Sequence, residues 1–298
     1  MSEKADLKHY LRTLSAQIEQ AMDALVPAAT QYPESLYDSM RYSLFAGGKR
    51  LRPVLTLATV EALGGDMAAA MPVAATLEMI HTYSLVHDDL PAMDDDDFRR
   101  GKPTNHKIYG EATAILAGDA LLTQAFQVLG TMEAKGREAV LLRIVGELAT
   151  AAGSIGMVAG QMADMENEGS KASEERLAFI HAHKTGALLT ASVRIGALFA
   201  DADEQQVQAL TSYAQKIGLA FQIVDDILDV EGVAEKLGKA VGADAAQGKS
   251  TYPLLYGLEE SREMVRRLTT EAHQALSGVA LRTNRLQEIA DWLINRDV

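Results

Sequence analysis

Six aspartates occupy ten consecutive positions in the stretch His87-Asp88-Asp89-Leu90-Pro91-Ala92-Met93-Asp94-Asp95-Asp96-Asp97-Phe98-Arg99-Arg100-Gly101-Lys102, and two arginines and a lysine follow at once. A hard divalent cation wants several carboxylate oxygens, and Mg²⁺ usually takes one or two carboxylates together with substrate phosphates. Phosphates in turn favour planar, permanently charged donors such as Arg99 and Arg100. Such a stretch has the groups to grip a phosphate through metal on one side and cations on the other, although an acidic run alone can equally be a solvated loop. A second cluster, Phe221-Gln222-Ile223-Val224-Asp225-Asp226-Ile227-Leu228-Asp229, ends an apolar segment. Residues three and four apart share a helix face, so Gln222, Asp225, Asp226 and Asp229 are expected on one side. Acids crowded there repel one another unless cations hold them, and the apolar neighbours Ile217, Leu219, Phe221, Ile223 and Val224 argue against a solvated surface helix. The two clusters together favour metal binding.

The elements that must carry these residues read as helix almost throughout. Seven prolines in 298 residues, abundant Ala and Leu, and few alternating β-branched runs give that pattern. Helices are expected over Leu7–Val26, Leu36–Ala46 (ended by Gly47-Gly48) and from Pro53 to Leu63; Pro72 is expected to open the helix that delivers Asp88 and Asp89, with Pro91 interrupting it. Further segments run about Glu111–Met132, Glu138–Ala152, Ile155–Glu166, Glu174–Gly186, Leu188–Ala200 and Glu204–Asp229. The Gly- and Lys-rich stretch Glu231–Pro253 breaks the pattern and is read as a closing lid, because such loops commonly exclude water from reacting sites. No repeat, low-complexity tract or linker divides the chain, so one domain over 1–298 is expected.

Bulk properties bound the chemistry. A net charge of −13 opposes nucleic acid and anionic membrane as partners, which makes local basic clusters informative. There are no cysteines, hence no disulfide or thiolate metal site. The N-terminus has no apolar run to act as a signal peptide, and no apolar stretch is read as approaching the ~20 residues of a membrane span; a soluble, cytoplasmic protein is the expectation. Gly48, Lys49 and Arg52 stand where a glycine pair meets a new helix, whose N-terminus suits phosphate. His81 lies two helical turns before Asp88 on the same side, a place a core histidine could also fill.

Asp-Asp-x4-Asp (Asp88, Asp89, Asp94) and Asp-Asp-x2-Asp (Asp225, Asp226, Asp229) resemble the two aspartate-rich motifs of the trans-isoprenyl diphosphate synthases. Gly47-Gly48-Lys49-Arg50-Leu51-Arg52-Pro53, His183-Lys184-Thr185-Gly186 and Gly238-Lys239 resemble further motifs in family order, and the likeness runs roughly from Tyr37 to Tyr252, nearest to the bacterial-type farnesyl diphosphate synthases. The resemblance implies an all-α fold, a single large helical bundle around a deep central cavity, working as a homodimer. It implies a Mg²⁺-dependent prenyltransferase using about three ions. Asp88 and Asp94 would hold two of them and Asp225 a third, with Asp89, Asp226 and Asp229 orienting metal waters and cations; Asp89 and Asp229 count with the metal set, Asp225 and Asp226 also with the catalytic one. By the same likeness Gly48, Lys49, Arg52, His81 and Arg100 would contact isopentenyl diphosphate, Arg99 the allylic diphosphate, and Lys184, Lys239 and Lys249 phosphate. Thr185 and Gln222 would place oxygen dipoles where positive charge develops. Asp164 resembles another motif position, with a buried structural role equally open; Asp95, Asp96 and Asp97 are given no role.

Product length would be set along the helix before Asp88, where a residue five positions earlier lies ~7.5 Å away. That residue is Tyr83, with Ser84 next to it; an aromatic here resembles farnesyl synthases, although on an ideal wheel Ser84 faces the Asp88 side more squarely. The resemblance leaves three alternatives: a geranylgeranyl synthase, a non-catalytic partner subunit, and a terpene cyclase of related fold, which would not need the second diphosphate pocket.

Overall fold

The computed structural model describes residues 3–167, 173–231 and 250–295. It is 77% helical, as the all-α expectation requires. The elements are α1 (Glu3–Leu25), α2 (Glu34–Leu44), α3 (Leu51–Ala62), α4 (Met67–Asp88), a hairpin of β1 (Phe98–Arg99) and β2 (Lys102–Pro103), α5 (Asn105–Tyr109), α6 (Glu111–Thr131), α7 (Glu138–Ala152), α8 (Met157–Glu166), α9 (Glu174–Ile180), a π turn (His181–Thr185), α10 (Gly186–Phe199), α11 (Glu204–Glu231), α12 (Tyr252–Tyr256), α13 (Leu258–Ser277) and α14 (Asn284–Ile294). The chain divides into two compact units, Met1–Leu57 with Asp66–Val145, and Ala58–Gly65 with Gly146–Val298.

The first unit is built on α4, which packs against α1, α2 and α6. Every residue from Val73 to Ile80 is buried, so this helix is apolar around most of its circumference, as a central helix must be. It starts at Met67, earlier than Pro72 suggested, because the Asp66 carboxylate caps it by accepting from the Ala68 and Ala69 amides at 2.9 and 3.1 Å. Pro72 therefore sits inside the first turns, where its missing N–H deprives only the carbonyl of exposed Ala68. Around α4, α1 presents Leu14, Ile18 and Met22 at helical spacing, all buried.

The second unit centres on α11, packed against α10 and α13. Nearly all of α10 is buried, from Leu188 to Phe199. The segment expected as one helix over Glu174–Gly186 changes period at His181 and runs as a π turn to Thr185. Most of the expected lid, with Lys239 and Lys249, lies outside the described residues. Among the described residues, Glu111–Thr131 and Glu138–Glu166 reach the length and apolar composition of a membrane span, a test that core helices of soluble proteins also pass.

Candidate active site

In the first unit, α4 ends at Asp88, with Asp89 as its C-cap. The chain then folds back on itself: the Asp94 amide donates to the Asp88 carbonyl at 2.9 Å and the Asp95 amide to the Leu90 carbonyl at 3.1 Å. This turn brings Asp94 next to Asp88, and both are half-buried. Asp95 absorbs the reversal with a φ of +51°. Asp89 points inward, 4% exposed, and is met by Arg99, whose Nε donates at 2.6 Å to Oδ1. Burial raises the Asp89 pKa in spite of the opposing Arg99 guanidinium. Arg99 also reaches Asp96 at 3.0 Å. Thr104 completes the brace, its hydroxyl donating to the Asp96 carbonyl at 2.7 Å and its amide to the Asp97 carbonyl at 2.9 Å. Asp96, given no role from sequence, thus helps hold the acidic loop.

The hairpin places the two arginines on different tasks. Arg100 and Gly101 form its turn with φ of +54° and +74°, and Arg99 pairs with Lys102 across it. Arg100 then reaches the α2–α3 loop and donates to the Gly47 carbonyl. A β-carbon on Gly48 would stand 2.5 Å from the Arg100 Cζ, so only glycine, here at φ +121°, lets the guanidinium lie on this loop. Close by, burial first and then the fields of Arg52, Arg100, Arg99 and Arg50 push the His81 imidazole well below its usual pKa. Burial and the fields of these guanidinium groups thus favour the neutral imidazole. The structure brings together Gly48, Arg52, His81, Arg99 and Arg100 within this unit, with Lys49 on the same loop.

Tyr83 is 7% exposed and lies edge-on to His87, ring centroids 5.8 Å apart. Ser84 is half-buried and turns its hydroxyl back to the His81 carbonyl at 2.8 Å. Of the pair, Tyr83 offers the larger apolar surface within the fold.

In the second unit, Gln222, Asp225, Asp226 and Asp229 lie on the one helix α11 at the expected spacing but differ in burial. Asp226 is 3% exposed and turned into the packing, where it accepts from the Tyr252 amide at 2.9 Å and from Gln222 Nε2 at 3.3 Å. Asp225 and Asp229, one turn apart, are half-buried. Lys184 belongs to the π turn and pairs with Asp164 at 2.7 Å. A π turn shifts side chains relative to an α-helix and often marks a functional site. Gly160 on α8 permits it: a β-carbon there would collide with the Lys184 backbone nitrogen. Thr185 closes the turn and is half-buried. A hollow of about 730 Å³ in this unit is lined by His181, Ala187, Arg194, Gln215 and Leu219 among others, and by none of the residues assigned to chemistry.

Among the described residues, no three acidic or histidine side chains gather closely enough to hold a metal unaided. The donor set still suits Mg²⁺, which takes one or two carboxylates and fills its octahedron with water and substrate phosphate. Asp88 with Asp94, and Asp225 with Asp229, are such pairs. Besides Asp96, sequence reasoning missed Arg50 and Glu78, whose side chains pair at 2.8 Å in the interior beneath the basic loop. The readable signal was an acid, Glu78, inside the apolar run of α4.

The polyprenyl synthetase family model matches residues 33–281. The chain is 48% identical over 292 residues to a farnesyl diphosphate synthase of Geobacillus stearothermophilus, covering 98% of each chain. It is 47% identical to a geranylgeranyl diphosphate synthase of Cyanophora paradoxa, covering 98% of this chain and 97% of that one. Among solved structures, the geranylgeranyl pyrophosphate synthetase of Pyrococcus horikoshii superposes with a TM-score of 0.88 at 30% identity, covering 99% of this chain and all of the other.

Proposed function

From the premise that this chain belongs to the polyprenyl synthetase family and is a prenyltransferase, we propose that it condenses isopentenyl diphosphate with dimethylallyl and then geranyl diphosphate, releasing pyrophosphate and ending at farnesyl diphosphate. The observation that carries this reading is the basic hairpin set between the acidic loop and the glycine loop, with Arg99 on Asp89 and Arg100 on Gly47 and Gly48, in the unit whose helix α4 ends in Asp88. Two diphosphates need two sets of cations, and a terpene cyclase would need one. Residues 1–298 would work as one synthase domain in which both acidic motifs serve one diphosphate.

Asp88, Asp94 and Asp225, with Asp89 and Asp229 supporting, would hold about three Mg²⁺ ions, whose chemistry is to neutralise the leaving diphosphate. Arg99 and Lys184, with Lys239 and Lys249 from the stretch expected as a lid, would carry the rest of that charge. Gly48, Lys49, Arg52, His81 and Arg100 would fix isopentenyl diphosphate with its double bond toward the allylic carbon. As the allylic C–O bond breaks, Thr185 and Gln222 would turn oxygen dipoles toward the carbocation, and apolar walls would keep water away. The double bond attacks the cation, the adduct loses a proton, and the departing pyrophosphate would accept it.

Tyr83 would stop elongation at fifteen carbons. The relative named for geranylgeranyl diphosphate keeps a C20 product as the second reading. Exposed Ile115 and Leu116 on α6 and Leu142 on α7 suit a homodimer of cytoplasmic chains that covers them. The test is a product assay with dimethylallyl and isopentenyl diphosphates, with and without Mg²⁺. A Mg²⁺-dependent C15 product is expected, lengthened by Tyr83→Ala. A dominant C20 product overturns the length assignment, and failure to consume isopentenyl diphosphate overturns the reaction.

A further inference from the structure

Arg50 lies in the middle of the basic loop, yet its side chain is completely shielded from solvent. Its guanidinium donates to Glu78 Oε1 at 2.8 Å, to the Leu44 carbonyl at the end of α2 at 2.8 Å, and to Glu19 Oε1 at 3.0 and 3.2 Å. One side chain thereby ties α1, α2 and α4 to the start of α3. Its backbone is equally constrained: φ is +49°, a left-handed conformation that a long side chain keeps only when its surroundings over-determine it. The Arg50 carbonyl accepts from the Val54 amide at 3.0 Å and so begins α3. Lys49 therefore precedes, and Arg52 follows by two, a residue pinned at both side chain and backbone.

We propose that Arg50 and Glu78 form a positioning pair that sets where Lys49 and Arg52 stand toward the isopentenyl diphosphate, without touching it. This rests on the assignment of that pocket under Proposed function. Arg50 is poorly placed to be a ligand itself, because its donors already meet three acceptors in the interior. A lysine there would keep the charge and lose the fork, since a point charge cannot serve three acceptors in different directions. Glu78, 1% exposed and three residues before His81, shares its helix face with that histidine and links the basic loop to the helix bearing Asp88.

The test measures steady-state kinetics of the full chain carrying Arg50→Lys, Glu78→Gln or both, with each diphosphate varied in turn. KM for isopentenyl diphosphate is expected to rise about tenfold, as small misplacements of binding groups do. KM for the allylic substrate and kcat should stay within about twofold, and the double variant should be no worse than the single ones, because both remove one contact. Glu19→Gln, altering the half-exposed partner, gives a smaller rise in the same constant and serves where the buried variants do not fold. A lowered thermal midpoint with unchanged KM, both KM values rising together, or additive effects in the double variant would overturn the proposal. Lys49→Ala separates this from the underlying reading: if it leaves KM for isopentenyl diphosphate untouched, the pocket assignment is what has failed.

Discussion

The two acidic stretches share a composition and are held in place by opposite means. The first is a reversing loop whose aspartates are braced by side chains: Arg99 spans Asp89 and Asp96, and Thr104 ties down the far end. The second sits in the long continuous helix α11, and its buried member Asp226 accepts from a backbone amide, that of Tyr252. A loop has no hydrogen-bond ladder to hold its carboxylates apart, so cations must do it. A helix spaces its acids by its own geometry. Arg99 is then both a brace and a candidate phosphate contact, whereas the Tyr252 amide that holds Asp226 is given no contact with substrate.

That contrast can be broken by mutation. The largest stability effect is expected from Arg99→Ala, which leaves buried Asp89 without its cation; such losses run to about 3–5 kcal/mol. Because Arg99 is 19% exposed at its side chain, the lower end is expected. Urea unfolding with an unchanged m-value would read it, and an unchanged midpoint would show that the loop is not braced this way.

Next comes His181, at the head of the π turn. Burial is the main cause that lowers its imidazole to about 4, with Lys184 lowering it further and Asp164 opposing. An unfolded histidine titrates near 6.5, so between these values the unfolded chain holds the extra proton. Stability is therefore complete above about pH 6.5 and lost as pH falls toward 4, by about 3 kcal/mol. His181→Asn should flatten the midpoint-against-pH curve in that window; an unaltered slope would place the acid sensitivity elsewhere.

The smallest effect sharpens the second region. Asp226→Ala strands the buried Tyr252 amide, worth about 1–3 kcal/mol, and Asp226→Asn, which keeps an acceptor oxygen, should cost less. Equal losses in the two variants would mean that charge, not the acceptor, matters at this position.

Much of this was legible in advance. Both acidic motifs, the basic loop and the boundaries of α7 follow from spacing and punctuation alone, because helix periodicity is a local signal. What escaped depended on contacts between distant residues or on local geometry outweighing a type preference. Pro72 looked like a helix start until the Asp66 cap supplied an earlier one. The Phe98–Pro103 hairpin hid in a charged run, although Arg100-Gly101 is a turn pair when both residues take positive φ. Asp226 could not be told from Asp225 by helix spacing, since only the amide of Tyr252, 26 residues on, draws it inward. Arg50 drew no role of its own because its acceptors come from three other helices.

The central claim is that both motifs serve one diphosphate. The most direct measurement is a Mn²⁺ titration followed by electron paramagnetic resonance, with and without a non-reactive thio-analogue of dimethylallyl diphosphate, on the unaltered chain and on Asp88→Asn and Asp225→Asn. The account predicts that tight Mn²⁺ binding requires the analogue and that either substitution weakens both metal and analogue together. Analogue affinity lost in Asp88→Asn but intact in Asp225→Asn, with metal still bound at the other motif, would show two separate sites and contradict it.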